Sequence, residues 1–157
     1  MGAPSHPESS RLLEVSFFGL GPAGLAEYRA SVHRFLVQER HPERNTPYVD
    51  LAYLPMLELL AYLRCKDFQI FIVSGGGDEF IRAISEELYG VPASHVVGSR
   101  QLLQIVERGG RIEVERAPSL SLFNDAEQKV KSLIHAIGAR PIIAVGNSDG
   151  DIPMLRY

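Results

Sequence analysis

One arrangement constrains this chain more than any other, and it occurs twice. An apolar run stops abruptly at a polar, glycine-bearing loop. The first copy is Phe68-Gln-Ile-Phe-Ile-Val73, which enters Ser74-Gly75-Gly76-Gly77. The second is Pro141-Ile-Ile-Ala-Val145, which enters Gly146-Asn147-Ser148-Asp149-Gly150-Asp151. Runs of this kind predict buried parallel strands, at 68–73 and 141–145, that feed loops at their carboxyl ends. In open α/β sheets those ends are where ligands bind, so both loops are expected at the same sheet edge. Asn147, Asp149 and Asp151 place three oxygen-bearing side chains within five residues. Oxygen donors so spaced suit a hard cation such as Mg2+.

Helical periodicity fills the intervals between these runs. Leu25, Tyr28, Val32, Phe35 and Leu36 predict one helix, and residues 50–64 a second that Pro55 restarts. Phe80, Ile81, Ile84 and Leu88 predict a third, closed by Gly90; Val130, Leu133, Ile134 and Ile137 predict a fourth, closed by Gly138. Short strands are expected at 12–18 and 94–98. Residues 101–106 and 111–116 flank Glu107-Arg-Gly-Gly110 as a hairpin. Strands alternating with helices imply an α/β fold with a doubly wound parallel sheet, into which the hairpin is inserted.

Bulk properties narrow the partners. A length of 157 residues suits one domain with a real core. A net charge of −3 offers no field for nucleic acid or an acidic membrane surface. No apolar run reaches membrane-spanning length, and the Pro/Ser-rich start lacks the apolar stretch of a signal peptide, so a cytoplasmic protein is expected. Residues 1–10 are expected to be a disordered tail. The lone Cys65 allows no internal disulfide.

Ser74 after its apolar run, Lys129 at the opening of a helix, and Gly146-Asn-Ser-Asp-Gly-Asp151 follow one another in that order. This ordered set resembles the haloacid dehalogenase superfamily of phosphohydrolases, most closely its phosphoserine-phosphatase-type and bacterial acid-phosphatase branch. The resemblance spans roughly residues 47–157. It implies a Rossmann-like core at 48–157, with 11–47 as part of a helical cap. It further implies an Mg2+-dependent phosphatase acting on a small phosphorylated substrate. Ser74 and Gly75 would hold the phosphoryl group, Lys129 (Lys131 as fallback) would neutralise its charge, and Asn147 and Asp151 would bind Mg2+. Relatives usually carry Asp where Asn147 stands, so weaker metal binding is expected. Each residue also has a plainer reading: Ser74 as a helix cap, Lys129 as a solvated lysine, Asp151 as an N-cap.

A larger departure concerns the nucleophile. The family uses an Asp-x-Asp pair after its first strand, the first Asp attacking phosphorus. Before Ser74 this chain has only Asp50 and Asp67, in no such pair. The chain is therefore expected to be a piece of a longer phosphatase, or the product of a degraded gene, with background activity. Leu12–Phe18 is the segment expected to replace the missing central strand, and exposed sheet edges are expected to promote self-association. Two other readings stand beside this one. A non-catalytic remnant or interaction module would keep the phosphate and metal loops without turnover. A diguanylate cyclase would use Gly76-Gly77-Asp78-Glu79-Phe80, its signature, as a turn between two strands.

Overall fold

The computed structural model describes residues 24–157. The expected tail at 1–10 and the expected strand at 12–18 lie outside them.

Helix α1, Leu25–Gln38, forms where the helical spacing predicts it and buries Tyr28 and Val32. A 3-10 turn, Tyr48–Leu51, leads to α2, Leu54–Cys65, with Pro55 in its first turn, where the missing N–H costs nothing. Strand β1, Ile72–Gly77, runs on through Ser74 instead of stopping at Val73. The chain turns directly into α3, Asp78–Arg82, and then α4, Ser85–Tyr89, which ends on the left-handed Gly90. Asp78-Glu79-Phe80 thus opens a helix and not a strand, which removes the cyclase reading.

β2, Val96–Arg108, and β3, Arg111–Leu122, form the hairpin, longer than expected and absorbing the short strand foreseen at 94–98. Gly109 and Gly110, at φ 57° and 76°, make the two-residue turn that this hairpin needs. Helix α5, Glu127–Ile137, is closed by Gly138 at φ 70°. A 3-10 turn, Asp149–Asp151, and α6, Ile152–Arg156, complete the described chain.

The class is α/β as read from sequence: helices flank a sheet of order β1-β2-β3, with β1 parallel to β2 and β2 antiparallel to β3. The register pairs Ile72 with Val96 and Gly77 with Ser99, across a bulge after Val73. The core gathers Tyr28, Val32, Ile84, Val91, Val96, Val97, Ala117, Leu133 and Met154.

The strand expected at 141–145 does not form. That segment is irregular, and Ile142 is 84% exposed. The run has the apolar composition of a buried strand, but strand geometry also needs a neighbour to satisfy its N–H and C=O groups. Among the described residues, neither this segment nor the outer edge of β1 has one.

Charged contacts fasten α1 to the core. Arg29 Nε donates to Glu79 Oε2 at 2.5 Å, and Arg82 Nη1 donates to Glu79 Oε1 at 2.7 Å. The Arg116 guanidinium lies 3.4 Å from the centre of the Tyr28 ring. Burial pushes the Glu79 carboxyl up, but the hydrogen bonds from Arg29 and Arg82 outweigh it and hold the group below its usual range. A depressed carboxylate gives its full stabilisation above its ordinary pKa and loses it as pH falls through the lowered value. Acidification from about pH 5 to about pH 3 is therefore expected to loosen α1, seen as faster amide hydrogen exchange in residues 25–38. Glu79→Gln should flatten that pH dependence; an unchanged profile would remove Glu79 as its source.

Candidate phosphate site

The site is assembled from three stretches distant in sequence: the end of β1, the entry to α5, and the loop before α6.

Within β1 the register slips between Val73 and Gly77, so residues 74–76 bulge from the ladder as a short loop, and in it the Gly76 N–H donates to Ser74 Oγ at 3.0 Å. Two polar residues that the sequence reading passed over hold this loop in place. Ser99 Oγ donates to Gly75 O at 2.7 Å and accepts from the Asn124 N–H at 2.9 Å. The Asn124 amide donates to Ser74 O at 2.9 Å and to Val97 O at 3.3 Å. Both side chains are fully buried, where such bonds are costly to lose. Gly98 lies beneath the turn: a Cβ there would stand 2.7 Å from both Asp78 N and Gly76 O. Ser99 follows the strand predicted at 94–98, whereas Asn124 stands beside no predicted element.

At the entry to α5, Ala126 takes φ 48° and ψ −124°, a conformation a side chain rarely adopts. This bend places Asp125 between the two loops. Its Oδ1 sits against Gly150, in the space a Cβ there would need, and 3.9 Å from where Gly75 would carry one. The two loops read from the sequence therefore do meet, although the strand expected beneath the second is absent.

One helical turn later, Lys129 is buried and donates through Nζ to Asp151 Oδ1 at 2.5 Å. Lys131, the fallback, is exposed. Asp151 Oδ2 accepts from the Asn147 N–H at 2.9 Å and from the Ser148 N–H and Oγ at 3.1 Å each. Burial raises the Asp151 carboxyl, but Lys129 and these turn donors outweigh it and bring its pKa down to about 2. Gly146 permits the close approach, since a Cβ there would come within 2.5 Å of Asp151 Cβ. The N-cap reading of Asp151 is present too, as a capping box with Ser148.

These contacts bear on Mg2+. Asp151 already receives four donors, one of them an ammonium. Asn147 contributes its backbone N–H to the turn, and its side chain is exposed. Among the described residues no three His, Cys, Asp or Glu side chains gather into a group able to hold a metal. In this arrangement Asp151 anchors Lys129 and its own loop.

A family model of haloacid dehalogenase-like hydrolases matches residues 5–156. The chain belongs to that family. The match runs over all three stretches of the site and over most of the residues before α1. No curated protein matches the chain. Among the described residues no helix is long and apolar enough to cross a membrane. Ser74, Lys129 and Asp151 all fall within the matched residues.

Proposed function

We propose that this haloacid dehalogenase-like hydrolase binds phosphate monoesters, in the manner of the phosphoserine-phosphatase-type branch. The phosphoryl group lies between the Ser74–Gly75 loop and Lys129. The observation that carries this reading is the meeting of that loop with the Lys129–Asp151 pair across Asp125. A phosphoryl oxygen there would find backbone N–H groups, a hydroxyl and an ammonium, the donors that charged oxygens require. Family members use Mg2+ beside such a site. Here Asn147 and Asp151 match the corresponding positions, but their present bonding leaves that role outside the chemistry derived from these residues.

The same reading limits the chemistry. No Asp-x-Asp precedes Ser74 in this chain, so no aspartyl-phosphate intermediate forms by the family's route. A phosphate-binding remnant is the second reading, favoured by the same absence.

Calorimetric titration with inorganic phosphate tests the site. One phosphate should bind per chain, and Ser74→Ala should weaken it by about ten- to hundredfold, the worth of one hydrogen bond to a charged partner. Absence of binding in the unmodified chain would refute the reading. Mixing with excess p-nitrophenyl phosphate should give no burst of p-nitrophenol, and a burst of one equivalent would reveal a nucleophile elsewhere in the chain.

A further inference from the structure

We propose that Asp125 is a catalytic base of this site, activating water for direct attack on a bound phosphate monoester. The proposal rests on the phosphate-site reading above and adds to it the missing chemical step.

The Asp125 carboxylate lies between the loops that would bracket a phosphoryl group, against Gly150 and beside Gly75. It stands four residues ahead of Lys129, just before Ala126, the N-cap of α5. Glycine at 150 is what leaves room for it: any larger residue there would take the space of Oδ1.

Asp78 is paired with Arg82, and Asp151 with Lys129 and the Ser148 turn. Asp125 is half-buried like a structural residue, yet its carboxylate makes no hydrogen bond or ion pair with any other described residue. A strut between two loops would be expected to hold them by such bonds. A base must instead keep a lone pair free for the proton it takes.

Ala126, the residue after Asp125, holds a positive φ of 48°, a strain found where side chains are held for function. The Ser99–Asn124 clamp, one residue upstream, fixes the backbone that bears this strain.

The step balances without an outside reactant other than water. The water oxygen forms a bond to phosphorus while its proton passes to an Asp125 oxygen. The phosphorus–oxygen bond to the ester group breaks, and its electron pair leaves with that oxygen. With p-nitrophenyl phosphate the products are inorganic phosphate and p-nitrophenolate, and Asp125 returns its proton to solvent. Lys129 and the Ser74–Gly75 loop bear the charge on the phosphoryl oxygens. No covalent bond to the protein forms, which separates this route from the family's.

The test pairs turnover with binding. Steady-state hydrolysis of p-nitrophenyl phosphate is measured for the full chain, Asp125→Asn and Asp125→Glu, alongside calorimetry with inorganic phosphate. The full chain should turn over slowly but above buffer. Asp125→Asn should lower the rate by about a hundredfold or more, the usual worth of a positioned base, while still binding phosphate. Asp125→Glu should keep part of the rate, which a strut broken by either change would not. A solvent deuterium isotope effect in the full chain should vanish in the Asn variant. Equal rates in the full chain and the Asn variant, or a full chain at buffer level, with phosphate bound in each case, would overturn the role of Asp125 and leave the phosphate site standing. Failure of the full chain to bind phosphate would overturn the site and this proposal together. Asp125→Ser, also neutral and smaller, takes the place of Asp125→Asn should the amide not fold.

Discussion

Gly98→Ala is expected to destabilise the fold by at least about 3 kcal/mol. The added methyl would stand 2.7 Å from Gly76 O and Asp78 N and 2.8 Å from Asp78 Cα, all backbone atoms with no side-chain freedom to retreat. Overpacking in a core typically costs about 1–3 kcal/mol, and the cost rises when backbone must move. Here the backbone belongs to the tightest junction of the fold: β2 passes beneath the turn from β1 into α3, and Ser99, the next residue, clamps Gly75. We expect a loss of at least about 3 kcal/mol, against the 5–15 kcal/mol that holds a typical domain. Urea unfolding followed by circular dichroism measures it. A midpoint equal to that of the unmodified chain would mean that β2 and the β1–α3 turn do not approach as described.

Lys129→Met is expected to have the largest effect on the site itself. Removing one member of a buried ion pair leaves the other charged, desolvated and unpaired, at a cost of about 3–5 kcal/mol. Asp151 would keep its three bonds from Asn147 and Ser148, so the loop should persist while the anion loses its cation. Two readouts should move together. Thermal stability should fall, and inorganic phosphate binding should drop below detection, because the freed Asp151 charge repels the ligand that Lys129 had attracted. Lys131→Met, at an exposed position on the same helix, should change neither. Phosphate affinity unchanged in Lys129→Met would place the anion elsewhere.

Much of the fold was legible in the sequence, and the limits were physical. The α1 helix, the α5 helix and the two left-handed stops at Gly90 and Gly138 followed from spacing and from the glycine preference of helix ends. The Gly109-Gly110 turn set the hairpin. The run at 141–145 misled because composition records burial in a strand but not the presence of a neighbour to pair with. β1 begins and ends four residues later than its apolar run predicts, because β2 pairs with its polar glycine end as far as Gly77.

The site divides the same way. Ser74, Lys129 and Asp151 were legible because they sit at strand ends and helix starts in an order that a family resemblance could recognise. Ser99 and Asn124 were not, since a clamp between positions 25 residues apart leaves no local pattern. Asp125 resembled an ordinary turn residue beside Asn124. Only the fold reveals that it meets Gly75 and Gly150, and that Asp151 is engaged with Lys129 and its own turn instead of standing free.

The central claim is that the Ser74–Gly75 loop and Lys129 form one phosphate site. A crystal structure of the chain grown with inorganic phosphate tests it most directly. The account predicts an anion within hydrogen-bonding distance of both Lys129 Nζ and the Ser74–Gly75 loop, with Asp125 facing it. A phosphate bound only at exposed arginines or lysines, with the Lys129–Asp151 pair undisturbed and nothing against Ser74, would contradict it.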